Sequence, residues 1–158
     1  MAYNTIQLFE VANTPCRMKM VTSAYDGMSA SYIRFNVFVE EQGVPLDLEM
    51  DGSDQVATSF LMFLDHAPIA TLRYVRLDDQ TLQLGRIALL RAYRGMGYGK
   101  AMMQWFDTYA LSIFKQVTLV LHAQKHVQSF YEACGYHPFG EPFMEAGIEH
   151  IEMKKDVG

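Results

Sequence analysis

The spacing of hydrophobic and polar positions changes several times along the chain, and each change marks an element. Arg17 to Ser23 alternates, as a strand with one buried face does. From Asp26 the spacing turns helical, with Asp26 or Ser29 as cap and Met28, Tyr32, Phe35 and Val39 on one face. Gly43 and then Pro45 stop this helix, and an acidic loop with Asp47, Glu49, Asp51 and Asp54 follows. Val56 to Leu64 and Ile69 to Leu77 read as two strands around an Asp65-His66-Ala67-Pro68 turn, and Asp78-Asp79 makes the next turn. Leu82 to Leu90 is a further strand, with Gly85 a candidate bulge or point of close approach. After a glycine-rich turn, Met102, Trp105, Phe106, Tyr109, Ala110 and Ile113 form a helical stripe. Val117 to Leu121 is continuously apolar, as in a strand buried on both faces. A second helix aligns Val127, Phe130, Tyr131 and Cys134 and ends at Gly135, and Tyr136 to Pro138 and Ile148 to Met153 supply the last strands.

This order predicts an α/β (α+β) sandwich, not a doubly wound sheet. The crossover from Leu90 to Val117 makes those two strands parallel neighbours. Residues 1–14 carry the weakest signal and could add an edge strand, cover a partner or stay loose. With 158 residues, half of them hydrophobic, the chain is read as one domain with a continuous core. No apolar run is long enough to cross a bilayer, and the first fifteen residues hold no basic residue, unlike a secretory signal. Cys16 and Cys134 are too few for a disulfide framework and lack metal-ligand spacing, so they read as reduced thiols in a cytoplasmic protein. His122 and His126 are four apart, but His122 falls on a predicted strand, and no metal site is expected. A net charge of −5 argues against nucleic acid as a partner.

Local charge around the glycine turn opposes this acidic balance. Between Asp79 and Asp107 there is no acid, and the stretch Leu84–Lys100 carries Arg86, Arg91, Arg94 and Lys100. Glycines let main chain approach a ligand, and a new helix offers unpaired N–H groups, so the turn Arg94-Gly95-Met96-Gly97-Tyr98-Gly99-Lys100 suits a phosphate-bearing ligand. The spacing fits neither the Walker loop nor the dinucleotide fingerprint. Alone, the turn also fits an ordinary strand-to-helix connection, the lesser of the two readings.

The turn does match R/Q-x-x-G-x-G/A, the pyrophosphate turn of the GNAT N-acyltransferase superfamily. Glu40-Glu41-Gln42-Gly43-Val44-Pro45, Gly85-Arg86-Ile87-Ala88, His122-Ala123-Gln124, Phe130-Tyr131-Glu132 and Glu145-Ala146-Gly147-Ile148-Glu149-His150 extend the likeness. Over roughly residues 17 to 155 the chain resembles the ElaA-like branch of that superfamily. The resemblance implies a GNAT-like acyl-CoA N-acyltransferase fold with a mixed six- to seven-stranded sheet flanked by helices. It also implies acetyl transfer from acetyl-CoA, as co-substrate, to a primary amine by direct attack in a ternary complex. Ile87, Ala88 and Leu89 would pair with the pantetheine arm. Arg94, Gly95, Met96, Gly97, Tyr98, Gly99 and Lys100 would hold the diphosphate, with Gln124 and Ser129 as further coenzyme contacts. An extended amide-bearing arm can add to an open strand, and a strand N–H, that of Leu89 for instance, can hold a developing oxyanion.

In the same family a tyrosine at the place of Tyr131 lies near the sulfur and can protonate the departing thiolate, although here it also belongs to a packing stripe. Gln124, Val127 and Phe130 stand where the family usually has asparagine, alanine and leucine. For the base, His122 at the end of the apolar strand is the first candidate, with Glu145 and His150 in the late motif. Glu41, Glu49, Asp51 and Glu145 could hold a cationic acceptor or form a solvated rim. A homodimer would suit the fold. The rival of another class is a non-catalytic acyl-CoA sensor on the same scaffold. A minor alternative follows from Arg34, Val37-Phe38, Glu49, Asp51 and Asp54, which resemble acyl-homoserine-lactone synthases; those enzymes carry a tryptophan after this helix, whereas the one tryptophan here is Trp105.

Overall fold

The computed structural model describes residues 7–52, 54 and 56–158, with Gln7 described by its backbone alone. The chain packs as two compact units, one from the residues up to Arg73 together with Arg86–Met102, the other from Tyr74–Gly85 and Met103–Gly158. Eight strands form among the described residues, against the six to seven expected. The additional one comes from the weakly patterned N-terminal stretch.

In the first unit, β1 (Gln7–Val11) and β2 (Thr14–Met20) form an antiparallel hairpin closed at Val11↔Thr14. Its two-residue turn, Ala12-Asn13, has φ +50° and +68°, the left-handed pair that matches strand twist. Part of the N-terminal stretch is thus an edge strand, and residues 1–6 lie outside the described set. β2 pairs antiparallel with β3 (Thr58–Leu64), and β4 (Ala67–Asp78) and β5 (Thr81–Leu89) continue the order β1-β2-β3-β4-β5. The β3–β4 turn is shorter than expected because Asp65, at φ +58°, closes it early.

Helix α1 (Ala24–Arg34) starts from Ser23, whose Oγ accepts the Asp26 N–H at 3.1 Å, so neither Asp26 nor Ser29 is the cap. Asp26 is instead buried in the first turn, 2.9 Å from Lys19 Nζ. The buried face is also not the expected one. Ala30, Ile33 and Val37 pack on Leu61, Phe63 and Ala88, whereas Met28, Tyr32 and Phe35 are exposed and Val39 is half-buried. Both stripes have helical spacing, so periodicity could not choose between them; the one beside Arg34 carries that side chain inward. A π-helical segment, Phe35–Glu41, extends α1 and ends at Gly43, whose φ of +72° stops it where expected. The acidic loop folds partly into a single turn, α2 (Leu46–Glu49).

β5 runs through Gly85, the expected bulge, without a break, and the left-handed residue is its neighbour Arg86, at φ +48°. A non-glycine residue pays roughly 1–2 kcal/mol for that conformation, so its side-chain contacts must hold it there. Helix α3 (Tyr98–Ile113) follows the glycine turn. Of its expected stripe, Met102, Phe106, Tyr109 and Ala110 are buried, Trp105 stacks on Tyr109, and Ile113 is exposed.

In the second unit the order is β4-β5-β6-β8-β7. β5 pairs parallel with β6 (Val117–Gln124) from Thr81↔Thr118 to Leu84↔Leu121, as the crossover required. β8 (Ile148–Val157) lies antiparallel to β6 over its whole length, and β7 (His137–Glu145) is antiparallel to β8 with a bulge between Phe139 and Phe143. β7 runs well past Pro138 but is exposed almost throughout, and so shows no alternation in sequence. The sheet is therefore mixed, as expected. Short α4 (Gln128–Ala133) precedes Gly135. Both cysteines are buried, and neither is in a disulfide. Among the described residues no helix is long and apolar enough to cross a membrane.

Candidate functional site

The glycine turn is built within the first unit. Leu90 N–H is tied to the Ile69 carbonyl at 2.9 Å, and a single 3₁₀ turn, Arg91–Tyr93, leads to Gly95 and Gly97, at φ +77° and +89°. Such values favour glycine. The Gly97 carbonyl accepts the first helical bond, from Ala101 N–H at 3.1 Å. The N–H groups of Tyr98, Gly99 and Lys100 therefore stand in the first turn of α3, where a helix supplies no acceptor of its own and its dipole favours an anion. Gly95, Met96, Gly97 and Lys100 are exposed, Gly99 is half-buried and Tyr98 is buried against Tyr93. Ile87 and Leu89 are half-buried and Ala88 is buried at the end of β5.

Arg94 does not reach out alone. Its guanidinium forks onto Glu41 (Nη1–Oε2 2.9 Å, Nη2–Oε1 3.1 Å) while Nε donates to the Leu89 carbonyl at 2.9 Å. Arg91 adds a second cation 3.6 Å from Glu41. Thus the end of the π-helical segment is fastened to the turn, and Glu41, expected to meet an acceptor, meets these arginines.

Glu49 is likewise internal. It is 2% exposed and takes Arg34 Nε at 2.7 Å and Nη2 at 3.2 Å, with Arg86 Nε 3.2 Å from Oε1. This burial corrects the expectation that Glu49 faces an acceptor. Arg34 Nη1 and Arg73 Nη1 share Asp54 Oδ1, at 2.7 and 3.0 Å. Arg86 Nη2 donates to the Leu48 and Glu49 carbonyls and lies 3.4 Å from Asp51. Three arginines and three acids balance here, and they hold left-handed Arg86 against α2. Arg73 was missed in sequence; an arginine inside the apolar Ile69–Leu77 run was its signal. Of the residues that resemble a lactone synthase, Arg34, Glu49, Asp51 and Asp54 are members of this network, whereas Val37 and Phe38 belong to the apolar packing beneath α1.

In the second unit, Tyr131 is buried on α4 edge-on to Phe130 and Tyr136, and burial, helped by the neighbouring Cys134, pushes its phenol well above the usual range. Ser129 is exposed and Gln124 half-buried. His122 is not the last residue of its strand, as expected, but an interior one, because β6 continues to Gln124. Its Nδ1 lies 3.4 Å from Glu145 Oε1 and its Nε2 3.7 Å from Glu152 Oε1. His150 is buried and 3.6 Å from the other Glu145 oxygen.

The sequence profile of the Acetyltransferase (GNAT) domain matches residues 28–157. The chain belongs to the GNAT acetyltransferase family. A Bacillus subtilis protein, itself named only provisionally as an acetyltransferase, is 37% identical over 145 residues, covering 87% of this chain and 95% of its own. ElaA of Escherichia coli is 30% identical over 129 residues, 79% of this chain and 84% of its own. The crystal structure of Escherichia coli ElaA superimposes with a TM-score of 0.79 at 26% identity, over 89% of this chain and 99% of that one. A Bacillus subtilis acetyltransferase solved in complex with CoA shares the fold at a TM-score of 0.67 and 14% identity, over 90% of this chain and 99% of that one. The GNAT fold expected from the motifs is therefore the fold of this protein, and the turn that resembles the family's R/Q-x-x-G-x-G/A motif lies at the helix start described above.

Proposed function

We propose that this GNAT protein is an N-acetyltransferase that uses acetyl-CoA to acetylate a primary amine. The observation that carries the reading is the start of α3, where Gly95 and Gly97 bend the chain so that the Tyr98–Lys100 N–H groups open onto an exposed turn whose own residues include no acid, Glu41 being taken up by Arg94. That donor set fits a diphosphate. Bound acetyl-CoA supplies an activated thioester carbonyl. Ile87, Ala88 and Leu89 hold the pantetheine arm along the end of β5, and a strand N–H there, that of Leu89 for instance, holds the negative charge that develops on the carbonyl oxygen. Arg94 supports this end of β5 through its bond to the Leu89 carbonyl. Gln124 and Ser129 are further coenzyme contacts. Tyr131 gives its proton to the departing sulfur, and His122 takes one from the amine. Asp51 and Glu145, whose side chains are 41% and 50% exposed, draw a cationic acceptor. Two buried cysteines outside any disulfide suit a cytoplasmic setting.

The test is free-thiol release from acetyl-CoA across a panel of peptide N-termini, lysine, polyamines, aminoglycosides and small amines. The expected result is protein-dependent release with one amine class. Silence across the panel, in protein that still binds coenzyme A, would favour the sensor; burial of Tyr131 makes its phenol a weaker acid, the feature that bears on that reading.

A further inference from the structure

We infer that Glu145 and His150 position His122, favouring the ring tautomer in which Nδ1 bonds Glu145 and Nε2, with Glu152 Oε1 3.7 Å away, beyond hydrogen-bond distance, bears the lone pair that accepts the amine's proton; this rests on the N-acetyltransferase reading. Side chains two apart on a strand share a face. The antiparallel registers His122↔Glu152, Gln124↔His150 and Phe143↔His150 therefore bring His122 and Gln124 from β6, Glu152 and His150 from β8, and Phe143 and Glu145 from β7 onto one face. The contacts confirm the grouping.

His150 defines the arrangement. Its Nδ1 lies 2.7 Å from the Ile148 carbonyl oxygen. A carbonyl can only accept, so Nδ1 carries the proton. Nε2 then faces Glu145 Oε2, 3.6 Å away. Neutral imidazole would point a lone pair at the carboxylate, whereas imidazolium would pair with it. The backbone sets the orientation of this buried ring beside Glu145, and the imidazolium form is the one that pairs with Oε2 and aims the carboxylate. Its other oxygen, Oε1, is 3.4 Å from His122 Nδ1. One carboxylate spans two imidazoles and favours the Nδ1–H form of His122, in which Nε2 keeps its lone pair.

Phe143 braces both rings. It meets His122 edge-on with centroids 5.0 Å apart and stacks on His150 at 5.9 Å. When Nε2 takes a proton, one N–H bond of the amine breaks and one Nε2–H bond forms. The imidazolium so produced lies between Glu145 and Glu152 Oε1, 3.7 Å from Nε2, and later returns its proton to solvent. Glu145 and His150 are positioning residues, and only His122 touches the reacting proton.

Ring-nitrogen NMR on full-length protein labelled with ¹⁵N-histidine tests the assignment without any need for activity. At a pH where His122 is neutral, its Nδ1 should be protonated and its Nε2 bare. In Glu145→Gln the ring should populate both tautomers, and kcat for the amine identified by thiol release should fall roughly 10- to 100-fold, with the KM for acetyl-CoA and coenzyme A affinity unchanged. Glu145→Asp should recover part of kcat, and His150→Gln should move the His122 tautomer in the same direction. A wild-type His122 protonated at Nε2, or a tautomer and kcat both indifferent to Glu145→Gln in folded protein, would overturn the inference. Wild-type protein that acetylates no amine would instead remove the N-acetyltransferase reading, and the tautomer measurement would still decide the positioning.

Discussion

Replacing Tyr131 with phenylalanine is expected to lower kcat for acetyl transfer by about 100-fold or more while leaving coenzyme A affinity within about twofold. The substitution removes one O–H and keeps the ring, so the edge-on contacts with Phe130 and Tyr136 survive. The phenol is 8% exposed, and burial, with Cys134 beside it, raises its pKa. A raised phenol stays protonated through neutral and mildly alkaline pH. The deficit of the variant should therefore be the same at pH 7 and pH 9. Single-turnover rates beside calorimetric binding separate the chemical step from affinity. Unchanged turnover would take Tyr131 out of the acid role and leave it as packing on the Val127–Phe130–Cys134 stripe.

Arg34→Met is expected to cost about 3–5 kcal/mol of stability, read as a lower urea midpoint. Arg34 is 5% exposed, and its loss leaves Glu49, 2% exposed, facing Arg86 without its bidentate arginine. Breaking one side of a buried pair leaves an uncompensated charge, whereas removing both sides does not. Arg34→Met combined with Glu49→Met should thus recover much of the loss. The same network sets an acid limb. Burial pushes the Asp54 carboxyl up, but hydrogen bonds and charge from Arg34 and Arg73 outweigh this and hold it below its ordinary value. A carboxyl depressed in the folded state contributes stability above its unfolded pKa, near 3.9, and that contribution is lost as pH falls through the folded value. Stability should therefore decline below about pH 4, and Asp54→Asn should flatten that decline. An equally steep acid limb in Asp54→Asn would contradict the assignment.

Elements with strong periodicity and a stop signal were legible from sequence, such as the α3 stripe and the helix end at Gly43. The parallel β5–β6 pair was legible as well, because a strand–helix–strand crossover leaves little choice. What was hidden had physical causes. Met28-Tyr32-Phe35 and Ala30-Ile33-Val37 share one period, and only burial of Arg34 decides between them. β7 is exposed on both faces, so nothing alternates. A left-handed arginine at position 86 has no local signal, since its cost is met by Glu49, Asp51 and the α2 carbonyls, remote in sequence. In the candidate site, the glycine turn was readable because helix-start chemistry is local. The pairing of Glu41 with Arg94, and of one carboxylate with two imidazoles, depends on register between distant segments.

Titration calorimetry of coenzyme A into the full-length protein tests the central claim most directly. Saturable binding at one site per chain is expected, weakened about tenfold or more in Lys100→Glu, which reverses an exposed charge in the first turn of α3 without disturbing the helix. Absence of any heat with coenzyme A and acetyl-CoA in folded protein, or affinity indifferent to Lys100→Glu, would contradict a diphosphate seat at this turn.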